Sequence, residues 1–393
     1  MGNILSLFIV IMAEQAGRIF GLSPNELLGT TSAITGIGMV LLVIPGGILA
    51  DRWSREGVLR IAFFSGLISI FLLILGTGIS FIIAGLFFWG VFQGLSRPAA
   101  EALLADSVPS GKRSGIYARV HLIQQFGMAV GPVLNIILFL FLGDRWDLGI
   151  LKNVMIFGLC FSCSSCFVML FLRQGKTIGK ESESFQGNNT ADPRFRKVPY
   201  LLLSANFIIG IGAGMTVKFF PVFFRTIYDL KPISVQMIMG GVFFVTGLTG
   251  LAAQKASLRR GRSEMIIAVQ SLAIGCLFGI ASYPALGLLV VLFICRGALM
   301  NAAQPLSRSI LMDLVPKKKR GLWNSLETVA WGLFWNASAA AGGFLIGENN
   351  FRRCFLITAA IYVVGTIPIF FIISSVRGID RNSSYPHPRR LVK

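Results

Sequence analysis

The chain is short of charge, and shorter still of acid. Only 13% of its residues are Asp, Glu, Lys or Arg, and 17 acidic residues stand against 36 basic ones. A soluble domain is about a quarter charged, so an ordinary soluble fold is excluded. Histidine occurs only as His121 and His387, too little for a histidine-based enzyme or metal centre. The six cysteines (Cys160, Cys163, Cys166, Cys276, Cys295, Cys354) all lie inside apolar runs, so there is no disulfide framework to read. The Cys160, Cys163 and Cys166 triplet reads as thiols on a lipid-embedded helix rather than as metal ligands. No glycine-rich phosphate loop is present, which excludes an ATP-driven engine within this chain. No basic region and small-residue cleavage site open the sequence, so no removable signal peptide is expected. The alternation of a membrane β-barrel is missing too.

What the sequence does have is hydrocarbon. Hydrophobic residues make up 54% of it and the mean hydropathy is +0.73. Its apolar runs repeat at about 20 residues, the length at which a helix crosses a bilayer. Unpaired backbone groups are not tolerated in lipid, so the runs are read as helices. The first, Ile4 to Met12, is short. It either continues through Glu14, Gln15 and Arg18 to Phe20, or begins partway into its helix. The others are Leu27–Ala50, Val58–Ile79, Phe81–Leu104, Ile116–Leu142, Ile150–Leu172, Val198–Phe224, Ile233–Ala253, Met265–Tyr283, Ala285–Leu306, Leu322–Ile346 and Phe351–Ser375. The expected fold is an all-α integral membrane protein of twelve spans in two pseudo-symmetric six-helix bundles. Residues 1–173 form the first bundle, 174–197 a polar linker, 198–376 the second bundle and 377–393 a basic tail.

The net charge of +19 does not mark a nucleic-acid binder. The cations gather in alternate turns: Arg52, Arg55 and Arg60; Lys112 and Arg113; the linker; Lys255, Arg259, Arg260 and Arg262; Lys317 to Arg320; and the tail. That pattern sets orientation in a membrane and places both termini in the cytoplasm.

The halves repeat. Pro98, Asp106, Pro109 and Arg113 recur at identical spacing as Pro305, Asp313, Pro316 and Arg320, each set at the end of the fourth span of its half. A second turn recurs weakly. Gly47-x-x-x-Asp51-Arg52-x-x-Arg55 joins spans 2 and 3, and Gly250-Leu-Ala-Ala-Gln254-Lys255 joins spans 8 and 9, with Gln254 in place of the acid. Repeated six-span halves are a construction of secondary transporters. With its polar linker and the helix 2–3 turn, the whole chain resembles the major facilitator superfamily. Gly127-x-x-x-Gly131-Pro132 in span 5 is similar to the motif of the family's antiporter branch. Asn135 and Ile136 stand where those antiporters usually show a glycine pair, and Gly90 and Val91 precede Gln93-Gly94 where they often carry an arginine.

The resemblance implies a conformational latch at Gly47, Asp51, Arg52 and Arg55. Gly47 permits close helix approach, and Asp51 would sit at the positive end of span 11 near Leu322–Ser325. The alternative is a turn that only sets topology. In span 4, Gln93, Arg97 and Glu101 share a face. They read either as a substrate or proton site, or as a self-neutralising structural pair. In span 5, His121 could titrate near neutrality or be structural, while Gln124, Gln125 and Asn135 are deeper cavity candidates. Span 7 carries Asn206, and Lys218 there reads as a snorkelling side chain. Arg296 lies mid-span in span 10, with Gln304 two turns on. A charge at that depth needs an acid or an anionic substrate beside it. Glu327 and Trp331 in span 11 complete the candidates, with stacking or plain packing open to Trp331.

The implied function is secondary transport of a small organic solute, anionic or amphipathic, by rocker-switch alternating access with proton or ion coupling. An uncoupled facilitator and a non-transporting receptor on the same fold are the alternatives. No cofactor or metal is expected, no catalysis, and no partner beyond lipid, substrate and protons; the chain is read as a monomer.

Overall fold

A computed structural model describes residues 2–76, 78–106, 113–171, 197–315 and 320–382. For some helix residues, Asp51 and Arg52 among them, only the backbone is described. The described residues are almost entirely helical; the one β feature among them is an isolated bridge between Ile19 and Leu22. In chain order the spans are Gly2–Ala16, Pro24–Arg52, Arg55–Leu75, Ile79–Asp106, Arg113–Leu142 and Leu148–Met169 for the first half. The second half is Val198–Tyr228, Pro232–Arg260, Arg262–Ala281, Leu286–Leu314, Arg320–Ile346 and Phe351–Phe370. They are called spans 1 to 12 below. Among the described residues ten helices are long and apolar enough to cross a membrane. Gly2–Ala16 and the Gly332–Ile346 portion of span 11 are shorter apolar helices.

Local chemistry sets the ends. Ser23 caps span 2 in a reciprocal capping box with Glu26, followed by Pro24 in the first turn, which satisfies two orphan donors at once. Ser54 accepts from Gly57 N at the start of span 3, Asp147 accepts from Gly149 N and Ile150 N at span 6, and Asn350 accepts from Arg353 N at span 12. Span 1 stops at Ala16 rather than running on to Phe20. Gly17 and Phe20 adopt left-handed φ of 76° and 55°, which a helix cannot contain.

Span 7 is broken. It runs as α-helix Val198–Thr216, turns through a 3-10 segment Val217–Phe219 and resumes as Phe220–Tyr228. Pro221 is the cause: it has no N–H to give the carbonyl of Val217 four residues earlier, so the helix tightens there. A short helix, Ile373–Asn382, follows span 12.

Packing is by small residues, as expected where lipid supplies no hydrophobic drive between helices. Gly38 of span 2 lies against the Phe87 carbonyl of span 4, and Gly90 and Gly94 of span 4 against the carbonyls of Thr35 and Met39. Gly214 and Gly342 lock span 7 to span 11 in the same manner, backbone against backbone.

Candidate substrate site

Two seams join the halves. Span 2 packs on span 11, and span 5 on span 8. In the first seam a Cβ added to Gly29 would lie 2.5 Å from the Ala339 carbonyl oxygen, and one on Gly343 would lie 2.5 Å from that of Asn25. Gly36 faces Asn336 Cβ, and Gly332 faces the Met39 side chain. Gly38 and Gly46, further toward the termini, pack on Phe87 and Leu95 of span 4 instead. The second seam is more varied. It runs from Asn135, whose Nδ2 donates to Gln236 Oε1 at 3.0 Å, past Pro132 beside Gly240 and Leu122 beside Gly247, to His121, whose Cδ2 would lie 3.3 Å from a Cβ added to Gly250. The Phe126 and Phe244 rings meet edge to face within it, 5.1 Å apart.

On the face opposite the termini, called the far side here, bonds between the halves close the interface. Arg225 donates twice to Glu14, each bond 2.8 Å. Arg18 pairs with Glu348 at 3.1 Å. Asn25 Nδ2 donates to the Gly347 carbonyl, Trp146 Nε1 to the Leu230 carbonyl, and Ile233 N to Asp144 Oδ1, all at 2.9 Å. Each exposed ion pair contributes little by itself, about 0–1 kcal/mol. Their joint effect is a capped end.

Beneath that cap lies Lys218. Its ammonium donates to Asn336 Oδ1 at 2.5 Å, while Asn336 Nδ2 is tied to the Gly332 carbonyl at 2.6 Å. Lys218 is ten residues from the far-side end of span 7 at Tyr228, about 15 Å at 1.5 Å per residue. This is too deep for the snorkelling read from the sequence. The 3-10 turn that carries Lys218 packs on span 1, and its partner Asn336 touches Gly36 of span 2. The side chain therefore points into the junction of the two halves. The signal in the sequence was Pro221, which turns the helix at that point.

The other candidates scatter. Asn135 is buried within the second seam and bonded across it. Gln125 and His121 are buried in the same seam, and His121 Nε2 has no hydrogen-bond partner. Gln124 and Arg97 are exposed and Gln93 is half-buried. Asn206 Nδ2 donates to Glu327 Oε1 at 3.3 Å. Gln304 bonds its own helix neighbour Asn301 at 3.1 Å.

Arg296 does not face the junction. It is 4% exposed inside the second half, its guanidinium 4.7 Å from the Phe220 ring centroid and 5.6 Å from that of Phe293. The side chains of Glu101, Asp106, Arg113, Arg320 and Trp331, and all of Pro109 and Pro316, lie outside the described residues, as do those of Asp51 and Arg52 in the latch. Asp313 is described: it takes an ion pair from Arg262 at 2.7 Å, which ties the turn after span 8 to the end of span 10. Gly47 and Arg55 are both half-buried.

The model of the Major Facilitator Superfamily matches residues 1–282 and 202–392, together almost the whole chain. No curated protein matches the sequence. Among solved structures, the human organic anion transporter MFSD10 aligns over 94% of this chain and 97% of its own, with 14% identity and a TM-score of 0.65. A bacterial homologue of the iron transporter ferroportin aligns in two states. The inward-facing structure covers 94% of each chain with 14% identity and a TM-score of 0.65. The outward-facing one covers 95% of this chain and 98% of its own, with 15% identity and a TM-score of 0.61. At such identities the likeness concerns the fold alone. The family match and the helical architecture agree with the two repeated turns, and the chain belongs to the major facilitator superfamily.

Proposed function

We propose that the chain is a secondary transporter that carries a small organic solute by alternating access. The observation that carries this reading is the far-side cap. Glu14–Arg225, Arg18–Glu348 and Asn25–Gly347 all run between the halves, so a rocking motion breaks them together without unfolding either half. A polar junction at Lys218 and Asn336 lies directly below, near the depth where repeat-built transporters hold their cargo. The glycine contacts described in the first seam run from Gly343 at the far side to Gly332, nearer the termini. The turn cations place the terminal side in the cytoplasm.

Coupling to protons or another ion fits the titratable groups Glu14, His121 and Glu327, and Glu101, whose side chain lies outside the described residues. Glu14 is the best placed of those described. Both its oxygens are held by Arg225 at the cap, so its protonation would loosen the closed far side. The Asp51 turn is the matching latch for the terminal side, and its second-half counterpart, Gln254, has no acid to offer.

Uptake of amino acids, sugars, organic acids and organic cations into proteoliposomes, with and without an imposed pH gradient, tests the reading. At least one class should accumulate, and accumulate further with the gradient. If the gradient has no effect, the chain is an uncoupled facilitator; if no class moves, transport is refuted.

A further inference from the structure

We infer that Lys218 and Asn336 form a midplane site for an organic carboxylate, the cargo of the transport proposed above. The inference rests on that transport reading for its biological sense, but its physical basis is separate.

A cation at hydrocarbon depth is expensive and needs a partner. Lys218 has one, the neutral oxygen of Asn336, and no Asp or Glu among the described residues lies within ion-pair distance of it. An ammonium carries three donors, so two remain for a ligand. Asn336 is not a substitute counter-ion. One of its amide hydrogens goes to the Gly332 carbonyl, which turns its oxygen toward Lys218 and holds the ammonium in place. Two described acids on the helices beside it are engaged elsewhere: Glu14 with Arg225 at the cap, and Glu327 with Asn206, nine residues along span 11 from Asn336.

A second, independent observation points to the same charge. Arg296 is buried with no Asp or Glu partner among the described residues: its guanidinium meets the Tyr362 hydroxyl, its Nε has no hydrogen-bond partner, and its charge rests on the faces of Phe220 and Phe293. It lies ten residues from the far-side end of span 10 at Leu286, as Lys218 does from Tyr228 in span 7 and Asn336 does from Ile346 in span 11. All three are thus at one depth, about 15 Å in at 1.5 Å per residue, which is the middle of a hydrocarbon core of about 30 Å. Phe220, whose ring carries the guanidinium, is two residues from Lys218. The second half therefore holds two basic side chains and no described acid at the midplane, Lys218 being the one turned to the junction, and walls of low dielectric strengthen such a field.

The chemistry selects among anions. A dianion such as phosphate needs a second facing cation when taken out of water, and the fork of Arg296 is covered by rings. A single ammonium as a point charge, with a carboxamide beside it, suits one carboxylate.

The test measures melting temperature and affinity of the purified full-length protein with acetate, hexanoate and benzoate, against their methyl esters and against chloride. Carboxylates should stabilise the wild type, while esters and chloride should not. Lys218→Gln should lose about tenfold or more in carboxylate affinity, as expected for a charge-assisted bond, and Lys218→Arg should keep part of it. Asn336→Asp supplies the missing acid internally. It should fold, melt higher than the wild type and lose the response, which separates ligand loss from misfolding. Equal stabilisation by esters or by chloride, or a Lys218→Gln protein that binds benzoate as the wild type does, would overturn the site. Labelled benzoate uptake in vesicles separates the two claims. A protein that binds benzoate yet moves no solute sinks transport and keeps the site. Uptake of only uncharged solutes, unchanged in Lys218→Gln, sinks the site and keeps transport.

Discussion

The two seams occupy equivalent places in the repeat, since span 8 corresponds to span 2 and span 11 to span 5, yet they are built differently. The span 2–11 seam is a zip of Gly29, Gly36, Gly332 and Gly343 against backbone and short side chains. The span 5–8 seam carries a buried amide pair, an aromatic pair and a buried histidine. A glycine contact has no side-chain bond to break, so it can part and re-form at low cost. An amide pair in an apolar seam costs about 1–3 kcal/mol when one partner is left unmet, so it holds register. The comparison teaches that one seam is pinned by side-chain bonds while the other rests on close backbone contact, and that the pseudo-symmetry is broken by side chains while the backbone keeps it.

The largest test of this contrast is Gly343→Leu. An added side chain there meets the Asn25 backbone, which cannot move aside. Overpacking of about 1–3 kcal/mol would shift the closed far side by roughly five- to hundredfold in population. Uptake should fall accordingly, and cysteines placed on the far side should become reactive. Uptake within twofold of wild type would break the contrast. Next is Asn135→Leu, which leaves Gln236 Oε1 unmet in the pinned seam and should lower the melting temperature through a loss of about 1–3 kcal/mol. The double change Asn135→Leu with Gln236→Leu should recover most of it, because no amide is then stranded. Failure of that recovery would mean the pair does not act as a unit.

Asp51→Asn should lower transport while leaving membrane insertion intact, through loss of an acid at a helix end that contributes about 0.3–1 kcal/mol or more. Restoring an acid at the counterpart, Gln254→Asp, sharpens the point. If the latch is one-sided by design, the change should slow uptake rather than help it. The smallest effect is expected at the cap. Glu14→Gln removes a half-exposed pair, worth about 0–1 kcal/mol, and should raise far-side cysteine accessibility only a few-fold. The exchange Glu14→Arg with Arg225→Glu should restore it.

The membrane class and the pairing of the two halves could be read from residue order alone. Hydrocarbon length needs no partner to be recognised, and Pro98 to Arg113 repeats as Pro305 to Arg320 at fixed spacing. Ser23 with Glu26 and the proline at 24 likewise mark a helix start by local chemistry. The site was less legible. Asn135 looked like a cavity residue because a polar group in a span must face protein or water. Which of these it faces depends on span 8, more than 90 residues away, where Gln236 waits. Arg296 was recognised as a buried charge, but the Phe220 ring that receives it belongs to another span. Lys218 was read as a surface cation, because its inward turn depends on Pro221 breaking the helix and on Asn336 arriving from span 11.

Residue order by itself determined that this chain crosses a membrane many times, that it does so in two related halves, and where most of its helices begin. Those properties depend on composition, period and bonds within a few residues. Only the tertiary structure decided which face is capped, which seam is pinned, and that two cations share the midplane without a described acid. Those depend on contacts between spans far apart in sequence, where a polar side chain takes its meaning from whatever the other half places opposite it.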